Sequence, residues 1–177
     1  MGAVAAFDHR ADAALERLRG RRPLDRTMVA ASELGDFALV WHIAGAARGL
    51  TGDTRATQAF VFAVLLGAES LLVNQGIKRL FRRARPTASG DPRLTVRAPS
   101  TSSFPSGHAS SAFFAATLLT AWDGAALAPL WFGIAVVVAV SRAYVRIHHA
   151  SDVIGGMAVG AALGLAARAL LAATPWA

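Results

Sequence analysis

The 177-residue sequence contains no cysteine. That absence excludes disulfides, a thiol nucleophile, and zinc or iron–sulfur centres held by thiolates. Charge is also scarce: Asp, Glu, Lys and Arg make up 16% of the chain, against roughly 25% in an ordinary soluble domain. Acids are the scarcer sign, 11 against 18 Lys and Arg, which leaves a net charge of +7. Residues 1–26 lack the apolar core of a cleavable secretory signal; acids and arginines alternate there instead.

Apolar residues take the place of the missing charge. They make up 54% of the chain, with a mean hydropathy of +0.43, and they fall in long blocks. Such blocks predict an all-α, integral membrane helical bundle. The basic excess then belongs to loops beside anionic headgroups rather than to a nucleic-acid face, so membrane lipids and not nucleic acid are the expected partners.

Residues 1–26 are expected to form an amphipathic, interfacial segment. Val4, Phe7, Ala11, Leu15 and Leu18 recur at helical spacing, and Asp8, Asp12, Glu16, Arg17 and Arg19 cover the other side. A surface helix packed on the domain is the competing expectation. Residues 27–177 hold five apolar blocks, near 28–48, 57–77, 107–122, 125–145 and 153–173, each close to the ~20 residues that cross a bilayer. About five transmembrane helices are therefore expected. Gly155, Gly156, Gly160 and Gly164 in the last block allow close helix approach in lipid. The long connection over 78–106 carries Arg79, Arg82, Arg83, Arg85, Arg93 and Arg97, with Pro86, Pro92, Pro99 and Pro105. A loop of that length is usually functional or disordered.

Three clusters carry chemistry: Lys78 with Arg85-Pro86, then Pro105-Ser106-Gly107-His108, then Ser141-Arg142 with His148 and Asp152. Alternating spans put all three on one membrane face. Lys78, Arg85 and Arg142 supply the fixed cations that a phosphoryl group needs, and the arginines can bind its oxygens in pairs. A helix starting near Ser106-Gly107 offers free N–H groups to an anion. His148 and Asp152, at i,i+4, share a face if the helix begins by His148. Asp152 can then fix the imidazole tautomer while the other ring nitrogen attacks phosphorus, and His108 can protonate the leaving oxygen. His149 is also near Asp152, but the spacing from Arg142 favours His148. No metal-ligand set is evident, and no cofactor is expected.

These residues resemble the type 2 phosphatidic acid phosphatase superfamily, whose pattern K-x6-RP, PSGH and SR-x5-H-x3-D is matched at Lys78, Arg85, Pro86, Pro105, Ser106, Gly107, His108, Ser141, Arg142, His148 and Asp152. The resemblance covers residues 57–173. It implies His148 as nucleophile, Asp152 as its partner, His108 as acid, and Lys78, Arg85, Ser106, Gly107 and Arg142 as phosphate ligands. It implies a lipid-phosphate substrate, with a phosphomonoester or diphosphate of an isoprenoid lipid as the leading expectation. Phosphoribosylated decaprenyl phosphate fits a cytoplasmic site; undecaprenyl diphosphate, phosphatidylglycerophosphate and phosphatidate are the alternatives. A non-catalytic lipid-binding protein is the reading from another class. The soluble vanadium haloperoxidases of the same superfamily are disfavoured by the apolar blocks.

Only Arg48, Arg55 and Arg168 of the 18 Lys and Arg residues fall away from the site face. The positive-inside rule therefore predicts a cytoplasmic site in the plasma membrane. Glu33, Asp36, His42 and Glu69 lie in or near spans, where ionisable groups draw a functional hypothesis by default. Here Glu69, or Glu33 and Asp36, are expected to support the site indirectly by pairing with its arginines, and His42 is expected to hydrogen-bond a neighbouring helix. Trp41, Trp122 and Trp131 read as packing or interface-belt residues.

Overall fold

A computed structural model describes residues 2–87, 90–94, 96 and 101–174; Arg97 and Pro99 lie outside the described residues. Seven helices are present among these: α1 (Ala3–Glu16), α2 (Arg22–Leu34), α3 (Leu39–Gly49), α4 (Asp53–Leu71), α5 (Gly107–Asp123), α6 (Ala128–Tyr144) and α7 (Ala150–Leu171). No strand occurs among the described residues, so the expected all-α class holds.

The apolar character of α5 is not confined to one stripe, and a helix apolar all round belongs inside. It is the central helix, packed between α6 and α7 with α4 behind it. Ala112, Ala115, Ala116, Leu118 and Leu119 sit in the core with Phe62 and Leu66 from α4 and Trp41 from α3. Trp41 is thus a packing residue. At the end far from the site, Arg48 pairs with Asp123 at 2.5 Å and lies over the Trp122 ring.

Among the described residues, three helical stretches are long and apolar enough to cross a membrane: Asp53–Leu80, Ala125–Tyr144 and Ala150–Leu171. Their outer faces stay apolar where no protein covers them, as at Phe60 (72% exposed) and Leu170 (77%). A surface of that kind is at rest in hydrocarbon, not in water. The protein is a membrane protein on this ground. At 17 residues α5 is shorter than these and is enclosed by its neighbours.

The block expected over 28–48 is not one continuous helix. It is divided into α2 and α3, and Phe37 and Ala38 between them take left-handed φ values of 53° and 56°. That conformation costs about 1–2 kcal/mol per non-glycine residue, so the surroundings must offset it. Two contacts do so. Asp36 Oδ1 lies 2.8 Å from His108 Nε2, and the backbone of Gly35 abuts the His108 ring, where a Cβ would come within 2.6 Å of Cδ2. A polar pairing inside the protein outweighs helix continuity.

The helix of α4 also changes register. It continues through a π turn at Leu72–Gly76 and a 3-10 turn at Ile77–Leu80. Such turns rotate the residues beyond them and recur at functional sites. Here they bring Lys78 inward, to 6% exposure.

The closest helix contact is between α5 and α7. A Cβ on Gly160 would sit 2.0 Å from the Ser110 carbonyl oxygen, so only glycine permits this approach. Gly160→Leu is expected to force the two helices apart and cost at least the 1–3 kcal/mol or so of an overpacked core. The purified variant in detergent should unfold about 5 °C or more below the parent. An unchanged unfolding temperature would contradict this packing.

Candidate active site

The two helices that start on the site face are tied together at their first turns. Ser106 is the N-cap of α5, its Oγ accepting from the Ala109 N–H, and its own N–H donates to the Asp152 carbonyl oxygen at 3.0 Å. Beyond α6 the chain folds back on itself: the N–H groups of Ile147 and His148 both donate to the Arg142 carbonyl, at 3.2 and 3.1 Å. This return, with Arg146 at φ 59°, sets His148 beside Arg142.

The i,i+4 helical face does not explain how His148 meets Asp152. Helix α7 begins at Ala150 with His149 as its extended N-cap, so His148 lies outside it. Asp152 instead turns back as a cap, its Oδ2 accepting the His149 N–H at 2.8 Å. That places Oδ2 3.7 Å from His148 Nδ1. His149 serves the helix end, and His148 is the buried imidazole.

On the other side of the His148 ring, Nε2 lies 3.1 Å from Arg85 Nη1. A guanidinium only donates, so Nε2 must accept and the ring proton must sit on Nδ1, facing Asp152. Burial pushes the His148 pKa down to about 3; the Asp152 hydrogen bond opposes this, and Arg85, Arg142 and Lys78 add to it. The imidazole is therefore neutral near pH 7, with a lone pair on Nε2.

Asp152 is held by more groups than the sequence suggested. Ser103 Oγ donates to its Oδ2 at 2.5 Å and lies 3.5 Å from His148 Nδ1. Arg83 Nη1 donates to its Oδ1 at 2.6 Å, while Nη2 reaches Asp8 Oδ2 at 2.5 Å. Ser103, Arg83 and Asp8 were not anticipated. Two of them carried a faint signal, since Ser103 stands two residues before Pro105 and Arg83 two before Arg85.

The three expected cations gather around the same ring. Lys78 and Arg142 lie within electrostatic reach of both His108 and His148. Arg142 is 1% exposed. Its Nη1 donates to the Ser32 hydroxyl and carbonyl, but Nε and Nη2 have no hydrogen-bond partner among the described residues. A buried guanidinium with open donors is costly unless an anion completes it. Arg85 is tethered by the carbonyls of Ile147 (3.0 Å) and Thr101 (3.2 Å). Gly107 packs against Asn74, whose Oδ1 would lie 2.9 Å from a Cβ. Beside Lys78 the site opens into a cavity of about 610 Å³ lined also by Arg79, Arg82 and Arg83.

The acids in or near the spans divide differently from expectation. Asp36, expected to pair with an arginine, lies within electrostatic reach of Arg142, and its Oδ1 is 2.8 Å from His108 Nε2, because the break after α2 turns it under the start of α5. Glu33 and His42 are exposed. Glu69 is buried and accepts a hydrogen bond from the Ser110 hydroxyl.

Helix α1 lies across this face, docked by its acids. Asp8 accepts from the Ser151 N–H and hydroxyl, both at 2.8 Å. Asp12 pairs with Arg19 (2.7 Å) and Arg146 (2.9 Å), and Glu16 with Arg93 (2.8 Å). Asp91 joins from the long loop, pairing with Arg93 at 2.7 Å. Hydrogen bonds from Arg93 and Arg19 hold the Glu16 carboxyl down at about 2, and hydrogen bonds from Arg93 hold Asp91 at about 2. Carboxyls lowered by folding add stability above their unfolded pKa and lose it as pH falls through the folded value. The dock is therefore expected to hold at pH 5 and above and to release between about pH 4 and 2. Hydrogen exchange on α1 measures this; equal protection at pH 6 and pH 2.5 would contradict it.

Residues 57–175 match the family model described as the PAP2 superfamily. Two curated relatives, the decaprenylphosphoryl-5-phosphoribose phosphatases of two strains of Mycobacterium tuberculosis, are each 41% identical over 88 residues. The match covers 50% of this chain and 48% of each relative, so it spans about half of their length. The crystal structure of a transmembrane PAP2 type phosphatidylglycerolphosphate phosphatase from Bacillus subtilis superposes with a TM-score of 0.75 at 25% identity, covering 96% of this chain and 87% of that one.

Proposed function

The chain belongs to the PAP2 superfamily, and from that premise we propose that it is a lipid phosphatase acting through a phosphohistidine on His148. The observation that carries this reading is a neutral His148, its Nε2 held by the Arg85 guanidinium, beside the buried and open Nε and Nη2 donors of Arg142. A phosphoryl group fits both requirements at once.

In the proposed reaction, Nε2 of His148 attacks phosphorus as the bond to the lipid oxygen breaks. Arg85 moves its Nη1 from Nε2 to a phosphoryl oxygen, and Lys78, Arg142 and the start of α5 at Ser106-Gly107 hold the other oxygens. His108 gives its proton to the leaving oxygen. Burial disfavours the protonated ring that this step needs, and Asp36, against His108 Nε2, offsets part of that. Asp152, oriented by Ser103 and Arg83, balances the positive charge on His148 once Nε2 is bonded. Water then attacks phosphorus, His108 accepts its proton, and the P–N bond breaks with its electron pair returning to Nε2.

The proposed substrate is a phosphomonoester or diphosphate of a polyprenyl lipid. The Mycobacterium tuberculosis relatives make decaprenylphosphoryl-5-phosphoribose the first candidate, a precursor for cell-wall arabinan synthesis; the Bacillus subtilis neighbour makes phosphatidylglycerophosphate the alternative. A substrate panel with purified protein tests this. Release of phosphate from phosphoribosylated prenyl phosphate well above glycerolipid phosphates is expected, unaffected by EDTA and blocked by vanadate. Strict dependence on a divalent metal would contradict the mechanism.

The site is proposed to face the cytoplasm, in a multi-pass protein of the plasma membrane. Residues 1–26 would lie along the interface, with Val4, Phe7 and Leu18, all exposed, toward lipid, and residues 27–177 would form the phosphatase domain. Pro92 is exposed on the site-face loop. A Pro92→Cys variant should resist an impermeant thiol reagent in intact cells and react after permeabilisation. Labelling in intact cells would place the site outside.

A further inference from the structure

Two of the cavities among the described residues have opposite chemistry. The one beside Lys78 is lined by arginines and cannot accept hydrocarbon without stripping water from those charges. The second, about 620 Å³, is a groove between α2, α3 and α6. Among its described lining residues Thr27 is the one polar side chain; Leu34, Val40, Ile134, Val137 and Val138 form much of the rest. Its size lies in the range of small-molecule sites, about 300–1,000 Å³.

The groove reaches the chemistry at a defined point. Val138, one of its walls, meets the space over Gly35 at 3.0 Å, and His108 Cδ2 meets the same space at 2.6 Å. Leu34, another wall, is followed by Gly35 and then by Asp36, the partner of His108. The inner end of the groove therefore adjoins the residue proposed as the acid. In an in-line displacement the leaving oxygen departs opposite the nucleophile, on the side of the acid. Whatever remains attached to that oxygen, the hydrocarbon included, is directed away from His148 and past His108.

We infer that the apolar groove between α2, α3 and α6 holds the hydrocarbon tail of the lipid-phosphate substrate. This rests on the phosphatase reading and adds the tail's route. Hydrocarbon gains little by leaving one apolar medium for another, so the groove acts by alignment, setting the phosphate at the depth of His148 and selecting for chain length and shape.

Gly133 lines the groove, and a Cβ there meets nothing within 4 Å. A side chain at 133 therefore starts into open space at the groove wall. Gly133→Phe is expected to lower the ratio of kcat/KM for a fifty-carbon prenyl phosphate over a five-carbon one by about tenfold. An unchanged ratio, whether both activities persist or fall together, overturns the inference. A second measurement does not depend on turnover. A prenyl phosphate carrying a diazirine on its chain should label residues 129–138, and excess fifty-carbon prenyl phosphate should displace it where phosphatidylcholine does not. Equal displacement by phosphatidylcholine would show a groove filled by bulk lipid, and labelling elsewhere would show another route; either overturns the inference. Failure of both prenyl phosphates to turn over in the parent protein, with labelling as expected, would instead refute the phosphatase reading alone.

Discussion

His148→Ala is expected to lower phosphate release about ten-thousand-fold or more while leaving the fold intact. The size of the effect follows from the site. Burial keeps the His148 imidazole neutral, so its Nε2 is a ready nucleophile at neutral pH. Among the described residues no equivalent group stands behind it: His149 sits at the N-cap of α7 with its backbone N–H on Asp152, and His108 is paired with Asp36. Asp152→Asn should leave the geometry but remove the charge that balances a phosphorylated ring, with a loss of about a hundred- to ten-thousand-fold. Steady-state assays on purified variants measure both. Activity in His148→Ala within tenfold of the parent would remove the nucleophile from the mechanism.

Arg142→Met is expected to show an unusual combination. Activity should fall about a hundred- to a thousandfold, because a pre-positioned donor for the phosphoryl oxygens is lost. Stability should not fall with it. The guanidinium is 1% exposed and two of its three nitrogens lack a partner among the described residues. Replacing such a charge by an apolar side chain of similar length is often neutral or stabilising. The two bonds to Ser32 are forfeited, together with the electrostatic pull of Asp36. Thermal unfolding in detergent, run beside the activity assay, separates the roles. A residue kept for substrate gives low activity with an equal or higher unfolding temperature; a structural arginine gives a clear drop in both.

Sequence alone revealed the parts of this site that lie in short, dense clusters. Lys78, Arg85, His108, Arg142, His148 and Asp152 stand beside helix ends that hydropathy marks well, and the family follows from them. The apolar run 28–48 misled, because Phe37, Ala38 and Leu39 are as hydrophobic as their neighbours and hydropathy does not register a left-handed backbone. Nor does it register the π turn at Leu72–Gly76, which reads as unbroken helix. The dock of α1 depends on pairs far apart in the chain, Asp8 with Arg83 and Glu16 with Arg93. Helical periodicity showed which residues share the acidic face but not what that face would meet. Asp36 was noticed as an acid in or near a span, yet its contact with His108 depended on the break that hydropathy missed.

The most direct measurement is rapid quench of the protein with a phosphorus-labelled lipid phosphate, followed by mapping of the labelled peptide. A phosphate stable to alkali and labile to acid is expected on His148, at no more than one per chain, and absent from His148→Ala. No phosphoenzyme at any quench time, together with inversion at phosphorus in a chiral-phosphate substrate, would mean direct attack by water and would contradict a covalent role for His148.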